Sequence, residues 1–343
     1  MSEISSSEPV VPKASETGSW DVVLSEARAG MADASAAVRR AVRRTPMLFS
    51  PDLSEELGAP VHLKCENRQI TGSFKVRGAF NAVRLLSEKE RRRGVSTISA
   101  GNHAQAVAWA AAQAGVAALV VMPASASRYK AERARRLGAE VVLAGDVAEA
   151  FETVERITRE RGLIFLHPFD AEPVVYGHAT CGEEIFEELP EADAVVVPVG
   201  GGGLVSGVAL AAKSKAEAGG ARVWGVEPVG AAAMEASLRA REAVRIARPR
   251  SVADGLAPPM AGKLTFRIVD RACEGVALVT EDEILSAAGF LLNVERLVVE
   301  PSGAAGVAAL RAGKIPVAGD RPVVAVLTGG NIDPRTLAEL CTG

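Results

Sequence analysis

Lys64–Cys65–Glu66–Asn67–Arg68–Gln69–Ile70–Thr71–Gly72–Ser73–Phe74–Lys75–Val76–Arg77–Gly78–Ala79 is the stretch on which the reading of this chain turns. A β-rich run, Val61–Lys64, leads into it. Thr71-Gly72-Ser73 then reads as a turn, and a helix is expected to start at Lys75. A lysine at a helix start is opposed by the helix dipole, which favours anions there. An ammonium so disfavoured loses its proton more readily, as a lysine must if it is to condense with a carbonyl group. Phe74 is expected to pack inward, and Thr71 and Ser73 offer hydroxyls to a phosphate or carboxylate. Taken alone, Lys75 also reads as a surface residue.

Working outward, β-rich runs alternate with helical patterns. Val61–Lys64, Val95–Ser99, Ala118–Met122, Glu140–Leu143, Leu163–Leu166, Ala194–Val199, Arg222–Val226, Ala277–Val279 and Val323–Leu327 are the expected strands. Helical patterns cover Asp21–Arg44 (ended by Thr45-Pro46), Asn102–Ala114 (closed by Gly115) and Arg128–Leu137 (closed by Gly138). Apolar strands alternating with helices imply parallel sheets covered on both faces, an α/β class arranged as two units. Thr280–Glu283 reads as a capping box, so its acids are helix-start residues rather than metal ligands. Arg241–Arg250 reads as a surface connection.

Bulk properties exclude several classes. Over 343 residues, 48% are hydrophobic and 24% charged, as in an ordinary globular protein. With 39 Lys plus Arg against 42 Asp plus Glu, the net charge is −3, which gives no basis for a nucleic-acid partner or an anionic membrane. The arginine clusters 91–93 and 133–136 read as solvated helix faces. The four cysteines (Cys65, Cys181, Cys273, Cys341) stand far apart with no CxxC pair, which argues against a zinc or iron–sulfur site and fits a reducing compartment, the cytoplasm. Residues 1–18 are rich in Ser, Glu and Pro and read as a flexible tail. No apolar run approaches the ~20 residues of a membrane span.

Three later loops carry chemistry. Ser99-Ala100-Gly101-Asn102-His103 lies between a strand and a helix, where backbone N–H groups of the helix start can hold an anion such as a substrate carboxylate. Asn102 can donate to a phenolate oxygen; alternatively Ser99 or Asn102 is simply the helix cap. Gly200-Gly201-Gly202-Gly203-Leu204 follows a strand and precedes a helix, and consecutive glycines let N–H groups converge on a phosphate. Its spacing matches neither GxGxxG nor a P-loop, although Glu227 after the next strand keeps a dinucleotide site open. Thr328-Gly329-Gly330-Asn331 ends the last strand, and Thr328 can offer a hydroxyl to a pyridine nitrogen.

These four motifs, in this order, resemble those of the serine/threonine dehydratases, including their serine-racemase relatives. The resemblance runs from about Thr45 to Asn331, with further matches at His167-Pro168-Phe169-Asp170, Ser251-Val252-Ala253-Asp254-Gly255 and Glu300-Pro301-Ser302-Gly303. It implies a fold-type II pyridoxal-phosphate enzyme, similar to the tryptophan synthase β chain, with the cofactor between two parallel-sheet domains. The large domain would comprise residues 19–66 and 166–343, and the small mobile domain residues 67–165. It further implies a homodimer or higher oligomer. Lys75 becomes the Schiff-base lysine. Phe74, Asn102, Gly200 to Leu204 and Thr328 become cofactor contacts, and Ser99 to His103 bind the carboxylate of a small amino-acid substrate. The expected activity is ammonia loss from a β-hydroxy-α-amino acid, L-threonine or L-serine first. The alternatives are a dehydratase of hydroxyaspartate, of a β-aryl serine or of a hydroxyectoine-breakdown intermediate, then a serine racemase, and, more remotely, a non-catalytic binding protein.

The chain also departs from the family pattern. The racemases carry a second serine where Ala100 stands, so racemisation is not expected. Glu227-Pro228 matches a cation site, but Ala231-Ala232-Ala233 lacks its acid, so no metal is expected and Glu227 reads as a capping or surface acid. The family's Gly-Gln-Gly-Thr appears as Gly177-His178-Ala179-Thr180, preceded by Tyr176. His178 is either a hydrogen-bonded structural histidine or, with Tyr176, a residue that reshapes the site. Only ~12 residues follow Asn331, so no isoleucine-responsive regulatory domain is expected.

Overall fold

The computed structural model describes residues 20–215, 220–317 and 319–342; the expected tail at 1–18 lies outside them. Ten strands form two sheets. They are β1 (Met47–Phe49), β2 (Val61–Lys64), β3 (Val95–Ile98), β4 (Ala118–Pro123), β5 (Glu140–Ala144), β6 (Ile164–Phe165), β7 (Ala194–Pro198), β8 (Arg222–Pro228), β9 (Gly275–Val279) and β10 (Val323–Val326). The larger sheet has the order β1-β2-β10-β7-β8-β9 and the smaller β5-β4-β3-β6.

Pairing is parallel throughout except at β1, which runs antiparallel to β2 with Leu48 opposite Leu63. This short edge strand is a correction to the all-parallel expectation. Three residues are too few for a periodic signal, and only its partner's free edge makes it a strand. The nine strands expected from sequence all form, with ends shifted by a residue or two. The first helix, Trp20–Ala41, stops short of the expected Arg44.

Alternation along each strand divides the apolar residues between two faces. Val195 and Val197 enter one core with Val324 and Val326; Ala194 and Val196 enter the other with Val323 and Ala325. In the smaller sheet Val120 and Met122 face one helical layer, and Leu119 and Val121 the other. Both faces being covered is why these strands read as continuous apolar runs.

Parallel pairing puts the carboxyl ends of β2, β10 and β7 side by side. The lysine stretch, the Thr328 loop and the glycine loop follow those three ends. In the smaller sheet the chain runs from β3 outward to β4 and β5, then returns to β6 on the other side of β3. The loops after β3 and β6 therefore flank a topological switch point, where open α/β sheets bind ligands. Among the described residues no helix is long and apolar enough to cross a membrane.

Candidate active site

Lys75 is the first residue of the helix Lys75–Arg84, as expected. The preceding turn is tied to the last loop of the chain. Ser73 bridges Gly329, Phe74 N donates to the Thr328 carbonyl at 3.1 Å, and Gly330 N to the Gly72 carbonyl at 2.9 Å. Asn331 Nδ2 donates to the Thr71 carbonyl at 2.9 Å and to Asn102 Oδ1 at 2.8 Å. Asn102 Nδ2 in turn donates to Glu300 Oε1 at 2.5 Å. One chain of bonds thus joins three of the four motifs, and the helix Asn102–Gln113 is positioned by it.

Lys75 Nζ donates to the Pro168 carbonyl at 3.0 Å and stands 5.1 Å from the centre of the Phe74 ring. Burial lowers its pKa to about 8, and among the described residues no carboxylate forms a salt bridge with it. Three imidazoles lie near it. His103 and His178 are buried, and burial, then the Lys75 charge, hold both well below the ordinary histidine value. His167 is lowered by burial as well, and its Nδ1 accepts from Asp170 N at 2.8 Å. All three are neutral groups that supply no counter-charge to the amine.

The amine opens on a cavity of about 260 Å³ between the two sheets. Its walls include Phe74, Ser99 to His103, Gly200 to Leu204 and Thr328, so the structure brings Lys75 together with the residues that the resemblance implied for the cofactor and the substrate carboxylate. The glycines are required by shape. A Cβ on Gly201 would stand 2.3 Å from the Phe169 ring, and Gly202 has φ +93° with Met234 and Thr265 against it. The helix Gly203–Lys215 begins in the same loop, so helix-start N–H groups face the cavity, a setting that holds phosphate. The helix Asn102–Gln113 has Gly101 as its N-cap and no side-chain cap, so neither Ser99 nor Asn102 caps it. Ser99 Oγ instead accepts from Gly101 N at 3.1 Å. The N–H groups of that first helical turn have no partner within the helix and suit a carboxylate. Thr328 Oγ1 lies 3.4 Å from the Ser302 carbonyl, a weak tie that leaves the hydroxyl available.

Several expectations are corrected. The hydroxyls of Thr71 and Ser73 are buried without a hydrogen-bond partner and do not line the cavity. Tyr176 lines a separate cleft with Trp20 and Arg267, because position 176 falls on the outward side of the helix Glu172–Glu188. His178 packs edge-on against Phe74 at 4.8 Å between ring centres; neither nitrogen makes a hydrogen bond of normal geometry, so it is structural but not satisfied. Glu227 is fully buried, and its two oxygens accept from Met234 N and Glu235 N, both at 2.9 Å. It caps the helix Ala233–Ala240, which removes it from the surface and from any ribose. Burial pushes its carboxyl up to about 8. Arg133 is not merely a solvated charge, since its Nη1 donates to Asn331 Oδ1 at 2.5 Å. The capping box at Thr280–Glu283 forms.

The site also contains residues whose roles the sequence did not announce. Lys130 Nζ lies 2.7 Å from Asp254 Oδ2 and 3.9 Å from Glu300 Oε2, and all three line the cavity. Burial opposes the Lys130 charge, but the two carboxylates outweigh it and hold the ammonium above its ordinary value. Glu300 is raised by burial, with Lys130 opposing. Lys130 sits in an arginine-rich helix with no local mark. The signal for it is spatial: Gly101 lacks a Cβ where the Lys130 stem comes within 3.2 Å.

Beneath the site is a second charged cluster. Arg77 donates to Glu66 Oε1 and Oε2 and to Glu184 Oε1 and Oε2, each at 2.8 Å, and Lys64 Nζ donates to Glu184 Oε2 at 2.6 Å. Arg77 and Lys64 are both 0% exposed. This cluster fastens the lysine helix to β2 and to the helix Glu172–Glu188.

Comparison with known proteins agrees with this geometry. A model of the pyridoxal-phosphate dependent enzyme family matches residues 38–329. The L-threonine ammonia-lyase of Thermotoga maritima is 45% identical over 90% of this chain and 76% of its own length. The L-threo-3-hydroxyaspartate ammonia-lyase of Saccharomyces cerevisiae is 37% identical over 91% of this chain and 95% of its own. Among solved structures, the processed form of threonine deaminase isoform 2 from Solanum lycopersicum superposes with a TM-score of 0.90 at 34% identity, covering 99% of this chain and 98% of that one.

Proposed function

The chain belongs to the pyridoxal-phosphate dependent enzyme family, and we propose that within it the protein is an ammonia-lyase that dehydrates β-hydroxy-α-amino acids, with L-threonine and L-serine as first candidates. The observation that carries this reading is the Lys75 amine. It is desolvated, without a carboxylate partner among the described residues and lowered to about 8, and it opens on a cavity shared by a glycine loop and an uncapped helix start. The residues fit the cofactor. Lys75 would hold it covalently, Gly200 to Gly203 and Leu204 would take the phosphate, and Phe74, Asn102 and Thr328 would meet the ring.

When bound, pyridoxal phosphate supplies a carbonyl carbon that condenses with amines and a ring that draws electrons from the substrate's α carbon. The N–H groups at Ser99–His103 orient the substrate carboxylate so that the α C–H bond points at Lys75. Lys75 Nζ, released when the substrate amine takes its place and with its pKa lowered by burial, takes the α proton. The electron pair left behind forms the Cα–Cβ double bond as the β C–O bond breaks, and the hydroxide leaves as water with a proton supplied by an acid near the phosphate seat. The released enamine adds water and yields a 2-keto acid and ammonia. Thr328 would offer a hydroxyl rather than a carboxylate to the ring nitrogen. It does not stabilise a protonated ring, which favours prompt elimination over a long-lived carbanion.

Ala100 lines the cavity without an ionisable group, so Lys75 is the acid–base group on one face of the α carbon. Rapid D/L interconversion of serine by the purified protein would overturn that point. A homo-oligomer and a cytoplasmic setting are part of the same proposal, the latter supported by the free thiols of Cys65, Cys181 and Cys273 buried in the fold. So is a division into residues 19–66 with 166–343 and a smaller mobile unit, 67–165. The direct experiment is to load the protein with pyridoxal phosphate and follow its visible absorbance together with keto-acid release from L-threonine. Both should be present, and both should vanish in Lys75→Ala; turnover retained in that variant refutes the assignment.

A further inference from the structure

The substrate's amine and carboxylate are accounted for by the cofactor and the Asn102 helix start, so the β substituent meets what remains of the cavity wall. Away from Lys75 and the glycine loop, one side of that wall carries Lys130, Asp254 and Glu300, and the rest includes an apolar set: Ile98, Pro123, Val147, Phe151, Pro258 and Pro259. Val147 and Phe151 are four residues apart on the helix Val147–Arg161 and so share one of its faces. Phe151 is anchored by packing on the Ile98, Leu119 and Val121 cluster, whereas Val147 is 47% exposed, an uncovered apolar side chain at the cavity wall.

Charge points the same way. Two cations line the cavity, Lys75 and Lys130, and no arginine does so among the described residues. Lys130 is already held by Asp254 at 2.7 Å and lies 3.9 Å from Glu300. A second carboxylate on the substrate would meet Phe151 and Val147, or those two acids; with Lys75 committed to the cofactor and Lys130 to Asp254, no further cation among the described lining residues receives it. An unpaired carboxylate removed from water is strongly disfavoured.

We infer that Val147 and Phe151 determine specificity, selecting β-hydroxy amino acids with a small alkyl or an aryl β substituent and rejecting those with a second carboxylate. The inference rests on the ammonia-lyase reading above. It separates this chain from its hydroxyaspartate-cleaving relative within one family.

The test is keto-acid release by the cofactor-loaded protein from L-threonine, L-threo-phenylserine and L-threo-3-hydroxyaspartate. The kcat/KM for L-threonine should exceed that for hydroxyaspartate by about 100-fold or more, a ratio within reach of a site that leaves a polar group unpaired. Phenylserine should fall within about 10-fold of threonine, since an apolar wall discriminates weakly between apolar groups. Phe151→Arg should raise the hydroxyaspartate-to-threonine ratio by about 10-fold or more, chiefly through KM. Val147→Arg, at an exposed first position of its helix, should move the ratio the same way without risk to folding; retained cofactor absorbance checks both variants. Hydroxyaspartate used as well as threonine, or a ratio unmoved in both variants, overturns the inference and leaves the lyase reading standing. Keto acid from none of the three sinks both.

Discussion

Lys75 and Arg77 sit two residues apart on one helix, both cationic by type, and the fold treats them in opposite ways. At ~100° per residue they point to opposite sides of the helix. Lys75 faces the cavity, with a carbonyl and neutral imidazoles for neighbours, and burial alone pulls its amine down to about 8. Arg77 faces the interior. Burial opposes its charge too, yet Glu66 and Glu184 hold the guanidinium well above its ordinary value, and Arg77 holds Glu66 below the carboxylate range. Desolvation is common to both; the counter-ion decides the outcome. A buried cation without one becomes a base, and a buried cation with two becomes a fastening.

The largest expected effect separates the two roles. Lys75→Ala should lower keto-acid production by about 10⁴-fold or more while leaving the denaturation midpoint near that of the parent, since no ion pair is lost. A variant that unfolds instead would mean that Lys75 is structural and would erase the contrast. Glu184→Gln should do the reverse. It removes one carboxylate from between Lys64 and Arg77, leaving buried positive charge in excess, and should destabilise the fold by about 3–5 kcal/mol in urea titration. A loss well under 1 kcal/mol would show that the cluster is more hydrated than its 0% exposed cations indicate.

The smallest effect sharpens the comparison without a mutation. The protonated Lys75 amine cannot condense with a carbonyl, and its pKa is lowered, so the reactive neutral fraction grows as pH rises toward about 8 and levels off above it. The rate at which cofactor-free protein regains visible absorbance on adding pyridoxal phosphate should therefore rise about 10-fold per unit between pH 6 and 7.5 and flatten past 8. A rise that continues to pH 10 would mean that the amine keeps an ordinary lysine value.

Legibility followed locality. Lys75, the Ser99–His103 loop, the glycine loop and Thr328 were readable because each is a contiguous run at a strand end, where composition and backbone geometry constrain each other. The strands were readable because burial on both faces leaves a continuous apolar signature. The cluster of Lys64, Glu66, Arg77 and Glu184 was not, since its members come from four elements and any one of them reads as a surface charge. Lys130 was hidden for the same reason. Tyr176 misled because proximity to His178 in sequence was taken for proximity in space, whereas a helix turns neighbours to different faces.

By itself, then, the sequence determined the alternation of strands and helices and the place of each loop at a strand end, since strand period, glycine placement and helix starts are local properties of the chain. Tertiary structure alone decided which charges meet. It gave Arg77 and Lys130 their carboxylates, withheld one from Lys75, buried Glu227 as a helix cap and set Phe151 at the cavity wall. Coulomb attraction and desolvation act through distance in space, and distances between residues a hundred positions apart exist only once the chain is folded.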